Sequence, residues 1–190
     1  MKEFEHITSA STGQPLKIIA SNNSEAQRAS QRLRFYQWWN IKPSDANVLI
    51  WGKMRTDPEP NKNLFKRIQG LFKGPTFIIN VFELNSLTIK ELYKQILQIK
   101  PKYIRGYTSA IFQFANLLDK CKLDGPKLGI NVAITTSEIL LNNQKDYIEK
   151  ILDCRVADEY GAAEIGLFAY DCPMGGKHIC EKLLYIYIYK

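Results

Sequence analysis

Three short segments bring together residue types able to handle a phosphorylated ligand. The first, Ile7-Thr8-Ser9-Ala10-Ser11-Thr12-Gly13-Gln14-Pro15-Leu16, sets four hydroxyl residues around a glycine. Such a loop turns hydroxyls and backbone N–H groups toward phosphate oxygens, and its composition equally suits an ordinary surface loop. It lacks the Gly-Lys-Ser/Thr helix opening of the Walker pattern. The second, Thr135-Thr136-Ser137-Glu138, closes a run of small and β-branched residues. Polar residues just beyond the carboxyl end of a sheet strand border the crevice where open α/β sheets bind ligands. Ser137 or Thr136 also suits the N-cap of a helix beginning near Leu140. The third, Asp158-Glu159-Tyr160-Gly161-Ala162-Ala163-Glu164-Ile165-Gly166, leads a strand into a small-residue bend that presents a tyrosine and a carboxylate. A carboxylate beside a phosphate loop is what a Mg²⁺–nucleotide site needs, whereas Glu164 alone reads as a surface side chain.

Other reactive groups carry less. Cys172, His178 and Cys180 supply the sulfur and nitrogen ligands that zinc favours, with Cys154 as a distant fourth, but their spacing is that of no standard finger or ribbon. Zinc is therefore the lesser reading. His6 reads as structural or solvent-facing, and Cys121 has no base near it in sequence. Phe35-Tyr36-Gln37-Trp38-Trp39 reads as core packing on a helix rather than as a base-stacking platform.

The elements that must position these groups alternate between strand and helix. Residues 5–10 and 16–20 read as two short strands, followed by a helix from Ser24 to about Trp39 with Gln27 as capping-box partner. Val48-Leu49-Ile50-Trp51 is a buried-strand run, and a helix is expected over 63–72. A strand over 76–83 precedes a second capping box, Thr88 with Glu91, and a helix with Leu92, Ile96 and Ile99 on one face. Strands at 102–107, 131–135 and 155–158 alternate with helices at 109–120 and 140–152. Residues 183–189 are strand material again. Repeated strand–helix–strand units predict an α/β fold: a mostly parallel sheet with helices on both faces and a β-rich C-terminal end.

The chain has 190 residues, a formal net charge of +7 and a pI near 9.2. Its size suits a single domain, and 45% hydrophobic with 24% charged residues is ordinary globular composition. No apolar run is long enough to span a membrane, and the opening residues lack the pattern of a signal peptide. Four cysteines in a chain of this length are expected as reduced thiols in a cytoplasm. Lys and Arg are spread along the chain and interleaved with acids; only Lys53-Met54-Arg55 and residues 62–73 approach a local patch. A small anionic ligand explains the charge better than a polynucleotide does. Both ends meet strand-like sequence without a turn or cap, so a slice of a larger domain is expected.

In their order, the three segments resemble the adenylate-forming superfamily of acyl- and aryl-CoA ligases, and within it the phenylacetate–CoA ligase branch with its CapK-type proteins of capsular polysaccharide biosynthesis. Thr8 to Pro15 is similar to the family's Thr-Ser-Gly-Ser/Thr-Thr-Gly-Lys-Pro phosphate loop. Thr136-Ser137-Glu138 is similar to its adenine-side segment, and Tyr160-Gly161-Ala162-Ala163-Glu164 to its Tyr-Gly-x-Ser/Thr-Glu motif. Gly106-Tyr107-Thr108-Ser109-Ala110 resembles the branch's Gly-Tyr-Pro-Ser, and Asp171-Cys172-Pro173 through Lys177-His178-Ile179 its Glu-Cys…Gly-x-His-Ile stretch.

The resemblance implies the central part of the large N-terminal ATP-binding domain, without the C-terminal lid domain. It implies adenylation of a small-molecule carboxylic acid by ATP with Mg²⁺, and transfer of the acyl group to a thiol such as CoA. Ser9, Ser11, Thr12 and Gly13 would hold phosphates, Ser137 and Glu138 would lie along the adenosine, Tyr160 would stack near the adenine and Gly161 would lie close to the substrate carboxylate. Glu164 would be the catalytic carboxylate and Mg²⁺ ligand. Three positions depart from the pattern: Ala10 for glycine, Gln14 for lysine and Ala163 for Ser/Thr. Those departures, with the ribose-binding Asp and adenylation Lys absent, imply an impaired site; the alternatives are a non-catalytic nucleotide- or acyl-binding remnant and a basic nucleic-acid-binding domain.

Overall fold

A computed structural model describes residues 3–7, 17–52, 74–162, 165–181 and 187. The chain divides into two compact units, residues 41–158 and residues 1–40 with 159–190.

Within residues 41–158, strands β3 (Asn47–Trp51), β4 (Thr76–Asn80), β5 (Tyr103–Tyr107) and β6 (Val132–Thr136) pair in parallel in the order β4-β3-β5-β6. Parallel neighbours need crossover connections, and helices α2 (Ile89–Ile99), α3 (Thr108–Lys120) and α4 (Asn142–Leu152) follow β4, β5 and β6. Alternation along the strands puts Val48, Ile50, Ile79, Ile104 and Ala133 on one face, where Ile89, Ile96, Ile111, Phe114, Leu118 and Ile148 cover them. Each such side chain is fully or nearly fully buried, and each except the small Ala133 contributes about 1.5–3 kcal/mol relative to exposure. Strand β6, VAITT, is buried at every position, as a central parallel strand must be. Gly106 lets β5 approach β3: a Cβ there would lie 2.6 Å from the Ile50 carbonyl oxygen.

Strand β7 (Arg155–Ala162) lies next to β6 in the sheet order, and the division between the units falls within it. Beyond it the sheet turns antiparallel through β8 (Gly166–Asp171) and β9 (Lys177–Ile179), which makes seven strands among the described residues. In the same unit, β1 (Glu3–Ile7) and β2 (Lys17–Ser21) form an antiparallel pair leading into α1 (Asn22–Trp38). Phe35 is buried against Tyr170 of β8, with ring centroids 4.9 Å apart, and Trp38 meets Tyr170 edge-on at 5.1 Å. The aromatic stretch is thus core packing, as its composition indicates.

The mixed, mostly parallel sheet and its flanking helices match the α/β architecture expected, including the β-rich C-terminal part. Local differences have simple causes. Helix α1 starts earlier than expected because Ser21, not Ser24, is its N-cap; the Ser21 hydroxyl accepts from the Ser24 N–H at 3.2 Å. Strand β4 ends at Asn80, whose side chain accepts from the Phe82 N–H and opens a single 3₁₀ turn, Val81–Glu83. Thr88 precedes α2 without capping it by side chain; its hydroxyl donates instead to the Glu83 carbonyl at 2.6 Å. Helix α4 is entered at Leu141, so neither Thr136 nor Ser137 is its N-cap; the Gln144 side chain accepts from the Leu141 N–H. The expected helix over 63–72, the basic stretches at 53–55 and 62–73 and nearly all of the 183–189 strand lie outside the described residues.

Candidate functional site

The carboxyl ends of β5 and β6 lie side by side, Tyr107 opposite Thr136. Two of the segments singled out in the sequence therefore meet there. Helix α3 begins immediately after β5, so its first-turn N–H groups, which have no intrahelical acceptors, open at this edge. Glu138 supplies the acceptor: its Oε2 takes the Ser109 N–H at 2.7 Å and its Oε1 takes the Ser109 hydroxyl at 3.0 Å. A carboxylate at a helix N-terminus is also favoured by the helix dipole. The buried Thr108 hydroxyl donates to the Glu138 backbone carbonyl at 3.2 Å. Between these anchors Ser137 stands exposed at φ +67°, in the left-handed region that a non-glycine residue enters at a cost.

One residue deeper in β6, Thr135 is wholly buried and donates its hydroxyl to Asp158 Oδ1 at 2.9 Å. On the other side, Tyr107 stacks on Trp51 at the end of β3, with ring centroids 4.2 Å apart and planes inclined by 24°. The Arg105 guanidinium sits 5.6 Å from the Trp51 ring centroid, within cation–π range. Burial, and then the negative charge of Glu138, push the Tyr107 phenol above its ordinary pKa, so it is a neutral hydrogen-bond donor at physiological pH. The edge as a whole offers an exposed hydroxyl, a flat aromatic wall and a carboxylate already engaged.

The other predicted residues are placed separately. Tyr160 lies on β7, 60% exposed, its ring 5.4 Å from that of Phe168. Gly161 pairs across the hairpin with Leu167, and a Cβ on it would strike the Gly166 carbonyl oxygen, so no other residue fits without displacing β8. Ser9, Ser11, Thr12, Gly13 and Glu164, like Ala10, Gln14 and Ala163, lie outside the described residues. Cys172, His178 and Cys180 have separate engagements: Cys172 Sγ accepts from the Met174 N–H at 3.4 Å, His178 lies edge-on to Trp38 at 4.8 Å, and Cys180 is buried beside Tyr170. Among the described residues no three His, Cys, Asp or Glu side chains are grouped to hold a metal ion.

Ser109, Thr108, Thr135 and Asp158 carry the polar structure of this edge without having been singled out as site residues. Ser109 has a legible signal, since a hydroxyl residue two positions after a strand and at the head of a helix is a first-turn residue. The long-range Thr135–Asp158 and Ser109–Glu138 pairings have none.

Solved structures that share this fold include CoA ligases. An open conformation of 2-hydroxyisobutyryl-CoA ligase, in complex with 2-HIB-AMP and CoA, superposes with a TM-score of 0.66 at 16% identity, covering 89% of this chain and 38% of that one. The anthranilate CoA ligase AuaEII, in complex with anthranoyl-AMP, gives a TM-score of 0.61 at 16% identity over 90% of this chain and 31% of that one. VinN gives 0.60 at 14% identity over 90% and 39%. The chain thus spans less than two fifths of the length of these proteins. No protein-family model and no curated protein sequence matches it. Among the described residues no helix is long and apolar enough to cross a membrane.

Proposed function

We propose that this chain is the central ATP-binding part of an adenylate-forming ligase of the phenylacetate–CoA ligase type, in its CapK-like branch. The observation that carries the reading is the meeting of Gly106-Tyr107-Thr108-Ser109 and Thr136-Ser137-Glu138 at adjacent strand ends of a fold that CoA ligases share. The carboxyl edge of a parallel sheet is where such folds take ligands, and these segments arrive there in the order of the family's motifs.

In this reading the Ser137–Glu138 connection borders the adenosine, with Ser137 contributing its exposed hydroxyl. Tyr160 and Gly161 belong to the adenine and substrate-carboxylate side, and Ser9, Ser11, Thr12 and Gly13 to the phosphates. An oxygen of the acid attacks the α-phosphorus, and the bond to pyrophosphate breaks, leaving an acyl- or aryl-adenylate; the thiol of CoA then takes the acyl group as the acyl–phosphate bond breaks and AMP leaves. A magnesium ion usually takes one or two carboxylates together with phosphate oxygens. Glu164 would be such a carboxylate, and the ion would neutralise phosphate charge. The small-molecule acid, ATP and CoA are the partners of this reading, and four cysteines outside any disulfide suit a cytoplasm.

A second reading has its own observation. Ala10, Gln14 and Ala163 remove a flexible glycine, a cation and a hydroxyl from the motifs. Loss of a charged hydrogen-bond partner costs about 1.5–3 kcal/mol and of a neutral one about 0.5–1.5 kcal/mol, which favours a nucleotide- or acyl-binding protein that does not turn over. ATP–pyrophosphate exchange, measured on the full polypeptide in which these residues are translated and with a panel of aryl and short acyl acids, separates the two. Exchange stimulated by one acid supports the ligase. ATP binding without exchange on any acid supports the binding protein.

A further inference from the structure

The sequence reading sets Glu138 along the adenosine, yet its carboxylate is committed elsewhere. Both oxygens are engaged by Ser109, at 2.7 Å from the backbone N–H and 3.0 Å from the hydroxyl. The same residue's carbonyl accepts from Thr108, whose side chain is 1% exposed. Three hydrogen bonds therefore tie one residue of the β6–α4 connection to the first turn of α3. The residue immediately before Glu138, Ser137, is the one held at φ +67°. A left-handed serine persists only where its surroundings over-determine it, and this triple tie is the over-determining structure.

We infer that Glu138 is a positioning residue, acting through Ser109 to hold Ser137 in its ligand-facing conformation rather than by touching the nucleotide itself. The inference rests on the nucleotide-binding reading above and deepens it: adenosine recognition at this edge belongs to Ser137 and the backbone, and the carboxylate is internal structure.

The test titrates ATP–Mg²⁺, AMP and inorganic tripolyphosphate calorimetrically into the full chain and into Glu138→Ala, Glu138→Gln, Ser109→Ala and the Ser109→Ala/Glu138→Ala double variant. A positioning role predicts that Glu138→Ala weakens ATP and AMP by the same factor, about tenfold, and Ser109→Ala by about threefold. The double variant binds no more weakly than Glu138→Ala, because both changes cut one tie. Glu138→Gln, which keeps an acceptor for Ser109, recovers most of the affinity. Tripolyphosphate binding is unmoved throughout, which a general loss of folding would not allow. If Glu138→Ala does not fold, Glu138→Gln and Ser109→Ala carry the comparison: near-normal affinity in the first with a selective loss of ATP and AMP in the second supports the role. Additive losses, or no loss in Ser109→Ala, overturn it. A wild-type chain that binds neither ATP nor AMP overturns the nucleotide-binding reading itself, a result distinct from these.

Discussion

Thr135, next to last in β6, and Asp158, within β7, are joined by a hydrogen bond, the wholly buried threonine hydroxyl donating to Asp158 Oδ1 at 2.9 Å. A hydroxyl with no access to water must be satisfied within the protein, and a carboxylate acceptor makes the bond a charge-assisted one. Thr135→Val keeps the shape and removes the donor. Chemical denaturation should show a loss of about 1.5–3 kcal/mol with an unchanged m-value. A neutral effect would mean that the bond contributes only geometry.

Ser137 is the position where stability and binding should part. Replacing it with glycine relieves the left-handed backbone and removes the hydroxyl. Ser137→Gly should raise stability by about 0.5–1 kcal/mol while weakening ATP binding severalfold. Melting and calorimetry on the same sample read the two effects. Gains in both would take Ser137 out of the ligand site.

The β7–β8 hairpin depends on Gly161, where a Cβ would strike the Gly166 carbonyl oxygen. Gly161→Ala should cost about 2 kcal/mol or more by forcing the strands apart. Ser137 and the Glu138 tie belong to the other unit. Amide exchange should therefore quicken along residues 159–162 and 166–171 and stay slow at Ser109. Uniform quickening would show that the two units unfold as one.

Alkaline pH offers a separate reading of the core of residues 1–40 and 159–190. Tyr170 is held up to about 12 by burial first and by its Cys180 neighbour second. Its folded-state pKa is raised above the ordinary value of 10.0, so the stabilising contribution is complete below pH 10 and is lost as pH rises toward 12. Tyr170→Phe should flatten this decline, measured as denaturation midpoint against pH, and remove one late-titrating phenol from the ultraviolet titration. Cys154, raised to about 12 by its own burial, should resist alkylation at pH 8 in the folded protein.

Much of this architecture can be read from residue order alone. Val48-Leu49-Ile50-Trp51 and the 131–135 run, apolar or β-branched at most positions, are both parallel strands, β6 buried at every position and β3 at alternate ones, Val48 and Ile50. Helix α2 is legible as a helix, but its buried face is Ile89, Tyr93 and Ile96; of the expected Leu92, Ile96 and Ile99 only Ile96 is fully buried, and the other two are half-buried. What stays hidden is long-range. Strands β8 and β9 form within a stretch broken by Gly166, Pro173, Gly175 and Gly176, where turn residues mask a hairpin pairing. Glu138 looks like a free carboxylate in the sequence because its partner, Ser109, is 29 positions away. Local caps mislead for the same reason: Thr88 finds the Glu83 carbonyl a better partner than its own helix.

The central claim is that adenosine sits at the adjoining ends of β5 and β6. Photolabelling with an azido-adenine analogue of ATP, followed by peptide mass spectrometry, addresses that directly. The account predicts modification of the peptide that contains Ser137, suppressed by excess ATP and not by tripolyphosphate. Labelling that ATP does not suppress, or that falls only on peptides away from this edge, would contradict it.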